Sequence, residues 1–528
     1  MKQVVIVVPP NSNQVLPGLQ CTVTNPEEHS DWSDYASLGA LSLCSSIDTL
    51  PAVRAIYIDG TIVDLNCVLQ YIADCAEDII AVCVSVLTAN YEAGLAILRA
   101  AKVIRSSILT VAGNDHFTAL PLACMTHSPE IDVGFVGNEI VGSFTRYVGD
   151  LAAGSVRALS EYPGIVGRDA GRVVMVPQRT EPINQALDYS IQDRAFNHSA
   201  LYRQNFATRV APRMKQLLGR QLSAGVPVEI GRGCIKFASN DACSFCSIQY
   251  GGQWRNQLDD AASAWDAILR PVNHGYDYLY LTADELPLTF NALLKSMRDE
   301  KPSRWTAVPD DERPVIVGYA RADGIADEAR AQILRDIGVR QVMIGMDAGS
   351  PVSLAAMNKP LTPRRQSDLE RRADKLFEQN LEALRIARSV GLVVRVGFVI
   401  GHIGMNEYLL RKNLDAMKFI LQEGADVISA LDVEVLSPQP GSLDFQYLVQ
   451  PDMATARASQ LKLEIASSAE REEFSQRFRG SDRIDRESAM IAYIGGLMPV
   501  LSLVDLATAR GTIRSFAKDV GVVIGEAD

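Results

Sequence analysis

The chain has 528 residues, which at roughly 150 residues per domain suggests about three or four domains. Hydrophobic residues make up 47% and charged residues 22%, and this composition excludes a largely disordered chain, a collagen-like chain and a small disulfide scaffold. The net charge is −12, and residues 1–150 carry most of it, with six Lys and Arg against sixteen Asp and Glu. An acidic front region repels phosphate backbones and anionic lipid, so we expect no nucleic-acid and no membrane partner.

The sequence carries no segment that predicts secretion or membrane insertion. The apolar run after Met1 stops at Pro9 and Pro10 without a small-residue cleavage site, so it predicts a β-strand. The longest uncharged apolar stretch, Ser488–Val504, is interrupted by Gly495-Gly496 and Pro499, which favours a buried helix and turn. With an odd number of cysteines, nine, these features predict a cytoplasmic protein.

Residues 1–155 alternate apolar runs with amphipathic stretches. Strands are predicted at Val4–Val8, Ala55–Ile58, Ile79–Val86, Ser107–Val111 and Val133–Val136. Helices are predicted between them, at Tyr35–Cys44, Val68–Asp74 and Glu92–Lys102. This alternation indicates βαβ units and a parallel sheet, whose ligands bind at the carboxyl ends of the strands.

The remaining chain divides into a linker, a second array and a helical end. Residues 156–225 lack a regular pattern and are interpreted as the linker. In residues 226–432, strands are predicted at Val228–Ile230, Tyr278–Leu281, Val315–Val317, Gln341–Ile344, Val393–Ile400 and Val427–Leu436. Helices there include Glu328–Asp336 and Asn380–Val390, and residues 433–528 predict long helical stretches at Ala454–Arg479 and Ile484–Ala517.

Three cysteines lie within thirteen residues after the first strand of the second array. Cys234 follows Gly231 and Gly233, and Cys243 and Cys246 form a C-x-x-C pair. Three thiolates on one loop can hold a zinc ion or an iron–sulfur cluster. A structural zinc site remains an alternative, although no fourth ligand lies nearby in the sequence. Three cysteines with no shared function are the other alternative. A cluster with three protein ligands leaves one iron free to bind a substrate or cofactor.

This loop resembles the cluster loop of the radical S-adenosylmethionine (SAM) superfamily. Arg232-Gly233-Cys234 and Cys243-Ser244-Phe245-Cys246 match its pattern, although eight residues separate the first two cysteines where the family has three. The resemblance implies that Cys234, Cys243 and Cys246 are the metal ligands of a [4Fe-4S] cluster. The longer spacing weakens assignment to a subfamily but leaves the number of ligands unchanged.

Further segments match the family in order. Leu281–Glu285 resembles a motif whose final acid binds the SAM amino group, and Ile344–Ser350 resembles Gly-x-Glu-Ser-Gly-Ser with Asp in place of Glu. Gly397–Gly404 resembles an adenine-binding motif without its terminal acid. The residues that the resemblance implies for SAM are Phe245, Asp284, Glu285, Arg321, Asp347, Ser350, Val399 and Gly401.

The front region resembles the cobalamin-binding domain that precedes the barrel in one large class of this superfamily. Ser85–Leu87 matches a Ser-x-Leu motif, and Gly113–His116 resembles Gly-Gly-x-His with Asn as the second residue. The residues implied for cobalamin are Ser85, Leu87, Thr88, Gly113, Asn114, His116, Gly137, Asn138 and Glu139. A flavodoxin-like domain with no ligand, or with another nucleotide, is the alternative.

No histidine has Asp two residues before it, so we expect no histidine ligand on cobalt. His116 is therefore either near the corrin or a capping or hydrogen-bonding residue.

The resemblance implies an α/β fold with four parts. These are an N-terminal doubly wound parallel-sheet cobalamin-binding domain (1–155), the linker (156–225), a partial (β/α)6 radical SAM barrel (226–432) and a helical C-terminal region (433–528). It also implies a methyltransferase in which a 5′-deoxyadenosyl radical activates the substrate and methylcobalamin delivers the methyl group, in natural-product biosynthesis or peptide maturation. A small-molecule or peptide substrate and an electron donor such as flavodoxin or ferredoxin are the expected partners.

Two other functions stay open. One is a cobalamin radical SAM enzyme that rearranges, contracts or cyclises its substrate without methylating it. The other is a zinc-stabilised binding protein without catalysis. The sequence identifies no catalytic side chain beyond the cofactor-binding residues.

Overall fold

The computed structural model describes residues 1–11, 33–183, 187–239, 241–248, 253–361 and 368–525. Over these ranges the chain forms a seven-stranded sheet, a six-stranded sheet and a two-stranded ribbon, with helices packed around both large sheets. This arrangement confirms the α/β fold class expected from the alternation of apolar runs.

The first sheet has the strand order β2-β1-β3-β4-β5-β6-β7. Its strands are β1 (Lys2–Val8), β2 (Val53–Asp59), β3 (Ile79–Ser85), β4 (Leu109–Gly113), β5 (Val133–Phe135), β6 (Ile165–Asp169) and β7 (Arg172–Met175). β1 to β5 are parallel in the doubly wound order 2-1-3-4-5, and their nearly continuous apolar sequences fit burial on both faces.

Six helices cover this sheet, and the first three agree with the three predicted helices to within a turn. They are α1 (Leu38–Ile47), α2 (Leu65–Asp74), α3 (Tyr91–Ile104), α4 (Asp115–Ala119), α5 (Pro121–His127) and α6 (Val141–Ala153). Asp64 begins α2 by accepting a hydrogen bond from the amide of Asn66, and Gly154, in a left-handed conformation, ends α6.

Residues 156–225, expected to be a linker, contain regular structure. β6 and β7 extend the first sheet as an antiparallel hairpin, and α7 (His198–Arg209) and α8 (Ala211–Leu218) follow. The hairpin escapes the sequence pattern because its outer half is exposed and charged, and its turn is made by Ala170 and Gly171 at positive φ.

The second sheet is parallel throughout, in the order β15-β14-β13-β12-β11-β8. Its strands are β8 (Gly225–Val228), β11 (Tyr278–Leu281), β12 (Val315–Ala320), β13 (Val339–Asp347), β14 (Val393–Ile400) and β15 (Ile428–Val435). β9 (Gly231–Gly233) and β10 (Arg255–Gln257) form the separate antiparallel ribbon just after β8. Strands joined by helices in sequential order give the expected partial (β/α) barrel.

Four of the eight helices described in this array begin at a residue whose side chain caps the first turn. The eight are α9 (Ala261–Asn273), α10 (Asn291–Asp299), α11 (Ser303–Thr306), α12 (Ala322–Ile325), α13 (Glu328–Ile337), α14 (Pro351–Ala356), α15 (Asp368–Val390) and α16 (Glu407–Glu423). Asp327 begins α13 through the amide of Arg330, for example, and Gly338 ends it at φ 107°.

The C-terminal region is helical, as predicted, but each long predicted stretch is divided in two. Its helices are α17 (Leu443–Val449), α18 (Pro451–Leu461), α19 (Ser468–Gln476), α20 (Arg486–Leu497) and α21 (Leu503–Asp519). Lys462, at φ 55°, ends α18, and capping boxes at Ser467 and Ser502 begin α19 and α21. Among the helices described, none combines the length and apolar character that a membrane span requires.

Candidate functional site

The loop with the three cysteines leaves the second sheet at the carboxyl end of its first strand. β9 carries Gly233 at φ 133°, where a Cβ atom would overlap the carbonyl oxygen of Trp254, so only glycine fits. The amide of Gly233 donates a hydrogen bond of 3.0 Å to Oδ2 of Asp284. Cys234 is thereby held next to the end of β11.

The three thiols share one electrostatic environment. Burial raises the pKa of Cys234 to about 11 and that of Cys246 further, and Cys243 adds to both shifts. The side chain of Arg321 lowers the pKa of Cys234 and so favours its thiolate. No three Cys, His, Asp or Glu side chains in the described residues already converge on one metal position. The donor set, three thiols on one loop with no fourth protein ligand, fits a cluster held through three thiolates.

The two adjacent acids after β11 have different tasks. Glu285 is fully buried and accepts hydrogen bonds from the amide of Leu288 and from the amide and hydroxyl of Thr289, so it closes its own turn. Burial raises the pKa of Glu285. Asp284 instead holds the cysteine loop and is half-buried. The sequence resemblance did not distinguish between the two carboxylates.

Arg321 and Asp347 are engaged in buried ion pairs beside the loop. Arg321 makes a bidentate pair with Asp323, at 2.9 and 3.0 Å, and also donates to the carbonyl oxygen of Lys359. Asp347 ends β13 at φ 60° and pairs with the ammonium group of Lys359. The two predicted residues therefore meet through Lys359.

The other residues predicted for SAM lie in the cysteine loop (Phe245), in β14 (Val399) and in the turns after β13 and β14 (Ser350 and Gly401). Phe245 and Val399 pack on the same apolar cluster. Ser350 begins α14, and its amide donates to Oδ1 of Asn413 at 3.1 Å. Gly401 has a φ of 104°, which permits the sharp turn after β14.

In the front region, the ends of β3 and β4 meet through side chains. Asn114, at φ 78°, donates from Nδ2 to Oγ of Ser85 at 3.0 Å. Leu87 is 45% exposed beside them, an open position for a large apolar side chain. A Cβ atom at Gly113 would lie 3.5 Å from the carbonyl oxygen of Phe135 on β5, so this position is close to the end of β5. At the carboxyl edge of the first sheet, these residues therefore place a glycine, two polar side chains and an exposed leucine side by side.

His116 has the hydrogen-bonding role that the sequence left as an alternative. Its Nε2 donates to the carbonyl oxygen of Asp482 at 2.8 Å, and its Nδ1 accepts from the hydroxyl of Thr88 at 3.1 Å. The ring is 1% exposed and packs against Tyr91, and burial lowers its pKa to about 4. Both ring nitrogens are therefore engaged within the protein.

The turn after β5 contacts the ribbon that carries the cysteine loop. Arg232 pairs with Glu229 and donates to the carbonyl oxygen of Asn138. Asn256, opposite Arg232 on β10, donates from Nδ2 to Glu139 at 2.9 Å. The turn after β5 and the ribbon that carries the cysteine loop are thus in direct contact, a relation that the sequence analysis did not predict.

Two carboxylates lie near each other at this junction. Burial raises the pKa of Asp115, at the start of α4, and the nearby charge of Asp284 adds to the shift. Asp115 follows β4 of the first sheet, and Asp284 follows β11 of the second. The carboxyl ends of the two sheets therefore lie close to each other.

Sequence reasoning did not identify Gln178, Glu181 or Asn256, which also contribute to this junction. Glu181 accepts from the amides of Gly142 and Ser143 at the start of α6, and its carbonyl oxygen accepts from Asn256. These residues carry no motif, and only the docking of distant segments brings them to the site.

No protein-family model matches the chain, and no curated protein matches it. Solved structures do. The radical SAM methyltransferase TsrM from Kitasatospora setae, with cobalamin and a [4Fe-4S] cluster bound, matches 85% of this chain and 78% of its own at 17% identity and a TM-score of 0.62. The cobalamin-dependent SAM radical enzyme OxsB, with aqua-cobalamin and SAM bound, matches 98% of this chain and 66% of its own at 15% identity and a TM-score of 0.58. The chain therefore shares, over most of its length, the fold of these two cobalamin-dependent radical SAM enzymes.

Proposed function

We propose that the protein is a cobalamin-dependent radical SAM methyltransferase. The observation that carries the proposal is the junction between the two sheets. The ribbon that bears the three-cysteine loop is fixed to the turn after β5 through Arg232–Asn138 and Asn256–Glu139. A cluster on the loop and a corrin on the first sheet would then face each other across one space.

The residues at this junction fit the proposed cofactors. Cys234, Cys243 and Cys246 would hold the cluster, Asp284 holds their loop in place, and Gly113 and Gly137 present backbone without a side chain at the edge of the first sheet. When bound, these cofactors supply reductive cleavage of SAM to a 5′-deoxyadenosyl radical and a methyl group for transfer. The protein's part is to orient them and to exclude water from the space between.

Anaerobic reconstitution with iron, sulfide, cobalamin and SAM, with reduced flavodoxin as the electron donor, tests the cluster. We expect about four iron atoms per chain, together with release of 5′-deoxyadenosine, and loss of both in each of Cys234→Ala, Cys243→Ala and Cys246→Ala. Cys67→Ala changes an exposed free thiol and is the matched control. Cluster absorbance and SAM cleavage retained in the three variants would contradict the proposal, and bound zinc without iron would favour a non-catalytic zinc protein.

Product mass separates methyl transfer from rearrangement. A methyltransferase yields a product heavier by one methyl group, with S-adenosylhomocysteine, whereas a rearranging enzyme yields neither. Small molecules and peptides are the substrates to screen, with flavodoxin or ferredoxin as reductant in a cytoplasmic setting. Tryptophan is a rational first compound because one of the TsrM structures contains it as substrate.

A further inference from the structure

We propose that the side chain of Gln178 is a hydrogen-bonding residue for the nucleotide tail of a corrinoid bound at the carboxyl edge of the first sheet. The inference rests on the proposed function and adds a binding residue to it. Gln178 lies outside the parallel part of the sheet, in the segment that follows β7.

The segment around Gln178 is anchored on both sides. The amide of Val176 donates to the carbonyl oxygen of Ile165 at 2.9 Å, and its own carbonyl oxygen accepts from Gly164 at 3.1 Å. Three residues after Gln178, Glu181 accepts from the amide groups at the start of α6. Gln178 is therefore held at the edge of the sheet between two fixed points.

The carboxamide of Gln178 has no hydrogen-bond partner in the described part of the chain. Both its Oε1 and its Nε2 atoms are shielded from solvent and unpaired. A buried amide without a partner costs free energy, so such groups in native proteins are nearly always satisfied. The missing partner must offer an acceptor and a donor close together. A ribose hydroxyl beside a phosphate, as in the nucleotide tail of cobalamin, offers both.

The side-chain carboxamide of Gln178 lies against Gly137. Gly137 is in the turn after β5, for which the sequence predicts a cobalamin contact. A Cβ atom at Gly137 would overlap the side chain of Gln178, and the φ of Gly137 is 85°. The amide of Gly137 donates to the hydroxyl of Thr118, which fixes the turn. Glycine at position 137 therefore admits the carboxamide of Gln178, which lies directly against the turn.

Titration of the full-length protein with hydroxocobalamin, followed by absorbance, tests the inference. Gln178→Leu keeps the side-chain size but removes both hydrogen bonds, so we expect roughly tenfold weaker binding of cobalamin. Binding of cobinamide, which has the corrin ring without the nucleotide tail, should be unchanged. Thr180→Val, at an exposed position on the same segment, is the control and should bind both ligands as the wild type does.

The stability of the ligand-free protein provides a second readout. Gln178→Leu should melt at the same or a higher temperature than the wild type, because it removes an unpaired buried amide. Equal cobalamin affinity in Gln178→Leu and wild type would overturn the inference and indicate an ordered water as partner. Equal losses for cobalamin and cobinamide, or a lower melting temperature, would also overturn it. Failure of the wild type to bind cobalamin would instead overturn the proposed function.

Discussion

At the scale of single residues, Asp347 combines a left-handed backbone with a buried ion pair. Its φ is 60°, its side chain is buried, and its carboxylate pairs with Lys359. Removing one partner leaves a buried charge without compensation, so Asp347→Ala should destabilise the protein by about 3–5 kcal/mol. The urea midpoint of unfolding measures this loss.

The double variant Asp347→Ala/Lys359→Met is the control for that measurement. It removes both charges and keeps an apolar side chain at position 359, so most of the lost stability should return. A double variant as unstable as Asp347→Ala would show that the carboxylate acts through its backbone conformation and not through the ion pair.

The sequence alone does not show which of two neighbouring acidic residues has a structural role and which has a role at the site. The sequence placed Asp284 and Glu285 together as candidates for SAM. In the structure the carboxylate of Glu285 accepts hydrogen bonds from Thr289 in its own turn, whereas the carboxylate of Asp284 accepts one from the amide of Gly233. Which of two adjacent carboxylates closes its own turn depends on the direction in which the chain leaves β11, and a motif contains no such information.

At the scale of elements, the β9–β10 ribbon carries the cysteine loop and also docks on the front sheet. Arg232 binds Glu229 in bidentate fashion and donates a third hydrogen bond to Asn138. A lysine ammonium group lacks the planar fork that binds both oxygens of Glu229 while it reaches Asn138, so Arg232→Lys should lose about 1–3 kcal/mol of stability. Equilibrium unfolding in urea measures the loss.

The matched control for Arg232→Lys is Arg172→Lys, on the exposed strand β7. That change should leave the urea midpoint within the error of the wild-type value. An Arg232→Lys midpoint equal to that of the control would mean that the ribbon is held by its other contacts, such as Asn256 with Glu139.

Strands could be predicted from the sequence where the apolar run of a single segment defines the strand. The predicted and observed bounds of β11 (Tyr278–Leu281) and β14 (Val393–Ile400) coincide, because each is an apolar run between turn residues. The β6–β7 hairpin was missed because pairing with β5 sustains it and its own alternation is weak. The contact of Asn256 with Glu139 joins residues 117 positions apart and depends on docking.

At the scale of the whole molecule, the C-terminal region returns to the front domain. Asp482 accepts from the hydroxyls of Tyr91 and Ser128, at 3.0 and 2.6 Å, and its carbonyl oxygen accepts from His116. The segment between α19 and α20 therefore holds α3, α4 and α5 of the first domain. Unfolding of either end should expose this contact, which links the stability of the two ends.

Buried histidines should make the stability of the whole chain depend on pH in the acid range. Burial lowers the pKa of His116 and of His402 to about 4, from an ordinary value near 6.5. As the pH falls from about 6.5 to 4, the unfolded chain binds protons at these rings and the folded chain does not. Each ring therefore removes roughly 3 kcal/mol of stability over that interval.

Asp444 opposes this trend. It is fully buried and accepts from the hydroxyl of Tyr493 at 2.6 Å, and burial raises its pKa to about 6. Between about pH 6 and 4 the folded chain binds a proton at Asp444 more readily than the unfolded chain, which adds roughly 3 kcal/mol on acidification. Among these three groups the two histidines outweigh the carboxylate, while the raised pKa values of Asp115 and Glu285 act in the same direction as that of Asp444.

Melting temperatures at pH 7, 6, 5 and 4 test this balance. Relative to the wild-type curve, the decrease of the melting temperature with falling pH should be less steep in His402→Asn and steeper in Asp444→Asn, because each variant removes one contribution of known sign. His127→Asn changes an exposed histidine and should follow the wild type. A shallower fall in Asp444→Asn would mean that the carboxylate is ionised in the folded protein at every pH tested, and that its pairing with Tyr493 stabilises the charged form.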